Sequence, residues 1–167
     1  AEGEILLGRS IPDMTLNLSA NGPNLDELIQ NKVPEQMLGD AFSIAGNLSL
    51  SDKGLNLTKL KVGVRDSHLE GSVKSGWPDK PEEINFDLKA HGKNLRAALP
   101  DISYYSPAPV AFRIEARGEA NSERIHVDKA NALIGGATAQ FNGTINLPPN
   151  LSAEDVNLDL RGNRLSD

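Results

Sequence analysis

Apolar and polar residues alternate along most of the chain. An apolar side chain recurs at every second position, and Thr, Asn, Ser, Asp, Lys and Arg fill the positions between. Since successive side chains of a β-strand point to opposite faces, this pattern predicts strands with one apolar and one polar face. The fold is therefore predicted to be mainly β. The residues assigned to the apolar face are Leu16, Leu18, Phe42, Ile44, Leu48, Leu57, Val62, Leu69, Val73, Ile84, Phe86, Leu88, Phe112, Ile114, Ile125, Val127, Ile134, Phe141, Ile145, Leu158 and Leu160.

Short polar or glycine-containing turns separate the predicted strands. They lie at residues 51–54, 65–67, 121–123 and 135–136. Connections this short join antiparallel neighbours. We therefore expect an elongated, curved antiparallel sheet in which each strand pairs with the next one along the chain.

The pattern also repeats with a period of about 70 residues, the spacing that separates residues 14–25 from their counterparts at 84–95. Self-similarity at a fixed period is typical of repeat proteins. The chain is expected to be an internal fragment of a longer array, opening and closing on parts of neighbouring units. The predicted divisions are the end of a preceding unit (1–13), a first repeat (14–83), a second repeat (84–155) and the start of the next unit (156–167).

One short helix is predicted directly after the first strand of each repeat. Asn24 and Asn94 are suitable N-cap residues, helix-spaced Leu and Ile follow them, and Pro34 and Pro100 stop the pattern. Each helix has two turns at most. Such helices are too short to cover the apolar face of a broad sheet.

An apolar face must be covered by a second sheet, by helices or by a ligand. Because helices are too few here, a sheet that curls on itself is expected to form a trough lined by the alternating apolar residues. Strands of 7 or 8 residues would make this trough roughly 25 Å wide at ~3.3 Å per residue. That width suits an extended acyl chain, and a lining without recurrent polar anchors suits hydrocarbon.

Composition and charge exclude several classes of protein. The formal net charge is −6, and the basic residues are scattered, so a nucleic-acid interface is not expected. The absence of cysteine excludes disulfides and thiolate metal ligands. No apolar run approaches the length of a transmembrane span.

Catalytic and metal-binding patterns are weak. His68, His91 and His126 show no His-X-X-X-His or Glu-X-X-X-His spacing, so exposed strand or turn residues are favoured over metal ligands. No Gly-X-Ser-X-Gly motif accompanies the serines, which disfavours nucleophilic catalysis. We therefore expect neither an enzyme nor a bound metal or cofactor.

Three motifs resemble the repeats of the AsmA-like family (AsmA/TamB type). They are Asp-Leu-X-Ala-X-Gly-X-Asn-Leu at 87–95, Phe-X-Ile-X-Gly-X-Leu-X-Leu-X-Asp-Lys-Gly-Leu-X-Leu at 42–57, and Leu-Glu-Gly-Ser-Val at 69–73. The resemblance implies a taco-shaped β-groove in the periplasm of a Gram-negative bacterium, within a protein anchored in the inner membrane. The chain departs from the family pattern at residues 116–120, where Arg117 or Glu119 is expected to face the groove and either interrupt its apolar lining or contact a lipid headgroup.

Together with the predicted apolar trough, the resemblance implies passive conduction of phospholipids between the inner and outer membranes as the function. The apolar residues named above would contact acyl chains, neighbouring repeats would continue the groove, and inner- and outer-membrane proteins would be further partners. The alternative is a β-sandwich repeat of a surface adhesin or envelope scaffold, in which two sheets pack against each other without a ligand. An uncovered apolar face would favour the first hypothesis, and a sealed core would favour the second.

Overall fold

Nine strands and one short helix make up the described part of the chain. The computed structural model describes residues 13–23, 41–77, 80–98, 109–149 and 151–162. The strands are β1 (Met14–Gly22), β2 (Phe42–Ser51), β3 (Gly54–Val64), β4 (Ser67–Gly76), β5 (Lys80–Gly92), β6 (Phe112–Ala120), β7 (Arg124–Ile134), β8 (Ala137–Asn146) and β9 (Ser152–Arg161), and the helix is α1 (Leu95–Ala98).

The strands form one antiparallel sheet in their chain order, from β1 to β9. The sheet is open and curved, and β1 and β9 are its edges within the described residues. The turns at 52–53, 65–66 and 135–136, together with the short connection at 121–123, join consecutive strands as predicted. The mainly β, antiparallel fold expected from the alternation is therefore confirmed.

Within the described residues, helical structure is limited to the four residues of α1, which follows β5. The backbone amide of Ala97 donates to Oδ1 of Asn94 (3.2 Å), so Asn94 acts as the N-cap. The amide of Leu95 donates to the carbonyl of Val110 (2.9 Å), which ties α1 to the segment before β6. The helix predicted at 24–30 lies outside the described residues, and the unit boundaries predicted after residues 83 and 155 fall within β5 and β9.

Register shifts interrupt most of the strand pairs. They lie between Ala45 and Asn47, between Leu57 and Leu60, between Arg117 and Gly118, and at comparable places in later pairs. An extra residue on one strand of an antiparallel pair bends that strand and increases its local twist. The bulges therefore give the sheet a physical means of curving.

Very little of the sheet is fully buried. Among the described residues, the buried apolar side chains are Phe42, Leu95, Phe112 and Val127, and none is less than 2% exposed. A sheet that packed against a second layer would bury one whole face. The described residues therefore form a single layer.

The two buried phenylalanines occupy equivalent places, as the first residues of β2 and β6. Phe42 is paired with Gly22, and Phe112 is paired with Gly92. A Cβ atom added to Gly22 or Gly92 would lie 2.8 or 2.6 Å from Cε1 of the opposing ring. Each ring thus lies over the backbone of a glycine, an arrangement that shields the glycine and fixes the pairing of the two strands.

Phe112→Ala is expected to destabilise the sheet by about 3 kcal/mol, because it removes one of few well-buried side chains and uncovers Gly92. Leu158→Ala provides the comparison, since Leu158 is 58% exposed on β9 and its loss should cost well under about 1 kcal/mol. Urea unfolding followed by circular dichroism measures both values. Equal shifts in the two unfolding midpoints would contradict this assignment of the core.

Candidate functional site

The pairing register places most apolar residues of the nine strands on one side of the sheet, here called the apolar face; Leu133, which pairs with Arg113 and Thr138, lies on the other side. Directly paired residues of antiparallel strands point to the same side. One row across the sheet shows the arrangement: it runs from β1 to β5 through Leu16, Leu48, Leu57, Val73 and Phe86. Parallel rows on either side extend this surface to both ends of the strands.

Each apolar residue that the alternation assigned to one face lies on the apolar face in this register. Their exposure differs with position. Phe42, Phe112 and Val127 are buried, most of the others are half-buried, and the edge strands are the most open. On β9, Leu158 and Leu160 are 58% and 67% exposed. The face is thus accessible along its whole breadth.

The expected interruption of this face in the second unit was wrong. Ala116, Gly118 and Ala120 point to the apolar face, where they pair with Leu88, Phe86 and Ile84. The intervening Arg117 and Glu119 belong to the opposite face. These residues are small, whereas the first repeat has leucines at the corresponding part of its strand. The side chains of β6 therefore project less from the sheet, but the surface stays apolar.

At its register-paired positions, the apolar face carries polar side chains only at Ser67 and Ser75, both at the ends of β4. No charged residue occupies a register-paired position of this face within the described strands. A surface of this kind cannot orient a polar ligand through directional hydrogen bonds. It can accept an aliphatic ligand in many positions along the sheet.

The sequence pattern missed two contributions to this surface. The first is the set of glycines, such as Gly46, Gly71 and Gly118, that lie in line with the leucines and form depressions between them. These glycines occupy the same alternate positions as the apolar residues, so their spacing in the sequence could have identified them as part of the apolar face. The second is Leu95 of α1, which is buried and was predicted only as part of a helix.

An apolar cavity of about 340 Å³ lies between α1 and one end of the apolar face. The helix contributes Leu95, Ala97 and Ala98, and the strands contribute mainly aliphatic residues together with Phe112. The cavity is open to solvent, and the polar residues Arg65, Ser67 and His68 also line it. The cavity-lining residues from the sheet include Val62, Val64, Leu69, Ala90 and Ile114.

The opposite side of the sheet, here called the polar face, carries charges of alternating sign. Lys61, Glu70, Lys89 and Glu115 face one another in register across β3 to β6. Opposite charges on adjacent strands favour this pairing over a shifted one. The polar face is thus a conventional solvated surface.

Two ion pairs at the ends of strands raise the pKa of their cations. Glu83 accepts a hydrogen bond from Lys80 Nζ (2.6 Å), which raises the pKa of that ammonium group. Asp159 accepts from the Arg161 guanidinium (2.7 Å) and raises its pKa likewise. Both cations are well exposed, and neither lies on the apolar face. These are surface contacts and do not form a reactive site.

Within the described ranges, no group of three or more His, Asp or Glu side chains is placed to hold a metal ion. No helix in the same part of the chain is long and apolar enough to cross a membrane. Comparisons of the chain with protein-family models, with curated proteins and with solved structures gave no match.

Proposed function

We propose that the chain is a segment of a lipid conduit, in which the apolar face holds the acyl chains of phospholipids. The observation that carries this proposal is the continuous apolar face, which no second layer covers within the described residues. Nine strands at ~4.8 Å spacing make the sheet roughly 38 Å broad. Monomeric proteins rarely expose an apolar patch larger than a few hundred Å². A surface of this size supports the binding of a hydrophobic partner.

The chemistry of the surface favours hydrocarbon over a polar ligand. Burial of each methylene group in an apolar environment contributes about 0.8 kcal/mol, so ten groups contribute roughly 8 kcal/mol before ordering costs are subtracted. Binding of this kind needs no headgroup site. Within the described strands no charged residue occupies a register-paired position of the face, so an acyl chain can slide along it; the charged Arg65 lies only at one end, where it lines the cavity beside α1.

The finer architecture in this proposal is a groove built from two repeats of about 70 residues. Three features that recur with this spacing support it. The Gly22–Phe42 pair corresponds to Gly92–Phe112. The bulge between Leu57 and Leu60 corresponds to the one between Val127 and Ala130. Gly71 and Gly143 have positive φ angles of 148° and 145°.

We further propose membership of the AsmA-like family, on the motifs quoted above. The protein would then be anchored in the inner membrane, and this segment would lie in the periplasm. The proposed mechanism is passive. Acyl chains lie on the apolar face, headgroups stay in water at the open side, and lipids move from one repeat to the next. No residue of the segment would make or break a covalent bond.

Photo-crosslinking tests the proposal in living bacterial cells. Benzoylphenylalanine placed at Phe86 or Ile114, on the apolar face, is expected to form adducts with phospholipid that mass spectrometry identifies. The same probe at Asn85 or Arg113, the preceding residues on the polar face, should form few. Adducts with protein alone at the apolar positions would favour the sandwich alternative, because a second sheet would then occupy the face.

A further inference from the structure

The fold brings together two histidines that are far apart in sequence. His68 on β4 and His91 on β5 are directly paired in the register of the sheet. Their rings stack on the polar face, with ring centres 5.1 Å apart and an angle of 29° between the ring planes. Both side chains are exposed, so solvent reaches their nitrogen atoms.

We propose that His68 and His91 form a binding site for a divalent transition-metal ion, with Cu²⁺ as the preferred metal. Imidazole nitrogen is a good ligand for copper, zinc and nickel, and copper binds most tightly in this series. Metal–nitrogen bonds of about 2.0–2.1 Å place two ligand nitrogens about 3.3 Å apart around one ion. Rotation about the side-chain torsions can bring nitrogens of rings centred 5.1 Å apart to this separation.

The neighbouring strands leave room for the ion. The residue of β3 paired with His68 is Gly63, which has no side chain. A Cβ atom at Gly63 would lie 3.4 Å from Nδ1 of His68 and 2.8 Å from Oγ of Ser43, so the glycine leaves a space beside the ring that the Ser43 hydroxyl borders. The residue of β6 paired with His91 is Arg113, whose charge opposes a cation.

Apart from Arg113, the charged groups in the neighbouring rows come in pairs of opposite sign. Glu70 and Lys89 form the next row on the polar face and carry opposite charges. At the other end, Lys93 Nζ lies 3.9 Å from Oδ1 of Asp66. Two imidazoles therefore supply the protein ligands, and water completes the coordination. A site of this kind exchanges its ion readily, which is typical of metal sensing or delivery more than of a structural metal.

Titration of the intact chain with Cu²⁺ alone tests the site. We expect one equivalent of Cu²⁺ per chain to bind before any further equivalent, with an electron paramagnetic resonance spectrum that shows coupling to two nitrogens. His68→Gln and His91→Gln should each weaken binding about tenfold or more and remove the two-nitrogen pattern. His126→Gln is the matched control, because the His126 ring lies on β7 beside Thr144 and Asp128, and it should bind copper like the parent chain.

A second measurement needs no substitution. Substoichiometric Cu²⁺ should broaden the nuclear magnetic resonance signals of His68 and His91 before those of His126. Unchanged affinity in the His68→Gln and His91→Gln chains would overturn the proposal. Equal broadening of all three histidines would overturn it as well. Neither result depends on lipid binding, so the proposed conduit function stands or fails separately.

Discussion

Ile114→Asp is expected to reduce phospholipid binding roughly 100-fold. Ile114 is the third residue of β6 and lies on the apolar face, paired with Ala90 and Ala132. A carboxylate there must be kept out of hydrocarbon, and an Asp in the centre of a bilayer costs about 2.5–3.5 kcal/mol. An energy of this size corresponds to a factor of roughly 100 in affinity. Transfer of a fluorescent phospholipid from vesicles to the purified chain measures the effect.

Arg113→Asp is the matched control, since it introduces the same carboxylate one residue earlier, on the polar face. It should leave lipid binding within about twofold of the parent chain. Phe86→Asp and Asn85→Asp on β5 form a second such pair. Circular dichroism of all four variants separates lost binding from lost folding. If folded Ile114→Asp and Phe86→Asp chains bound lipid as well as their controls, the apolar face would not be the lipid site.

Gly71→Ala is expected to destabilise the sheet by about 3 kcal/mol. Gly71 has a φ angle of 148°, a conformation that residues with a side chain rarely adopt. An added Cβ atom would overlap the carbonyl oxygen of Asp87 and lie 3.0 Å from the Cα atom of Leu88. Both atoms belong to the backbone of β5, so relief requires the β4–β5 pair to separate. The midpoint of urea unfolding should fall accordingly.

Gly136→Ala is the control for this prediction. Gly136 lies in the turn between β7 and β8, and an added Cβ atom there meets nothing within 4 Å. We expect a change in the free energy of unfolding of at most about 0.5 kcal/mol. Similar losses for the two substitutions would show that the close approach at Gly71 does not limit the stability of the sheet.

The alternation of residues predicted the strands well because side-chain direction in a strand depends only on sequence position. It assigned Leu16, Phe86 and Ile145 to one face, and the pairing register puts them there. It failed for Arg117 and Glu119, where a Gly-and-Ala stretch hid the apolar positions. The true pattern there runs through Ala116, Gly118 and Ala120, and small residues give a weak hydrophobic signal.

Some properties were not accessible to the sequence because they depend on which strands are neighbours. The stacking of His68 and His91 follows from the register of β4 and β5, and their spacing of 23 residues matches no local motif. The cavity beneath α1 arises in the same way, from elements that lie far apart along the chain. Hydrogen bonds between strands that are far apart in the sequence determine which of these residues become neighbours.

Local residue order thus determined the strand character of this protein, the position of its turns, and the separation of apolar from polar side chains. Each depends on a few adjacent residues and on the fixed geometry of an extended backbone. The tertiary structure alone decided that the strands lie side by side in one open layer, with the apolar face uncovered within the described residues. The same alternation also fits a closed sandwich, because both folds need one apolar side per strand and differ only in what that side packs against.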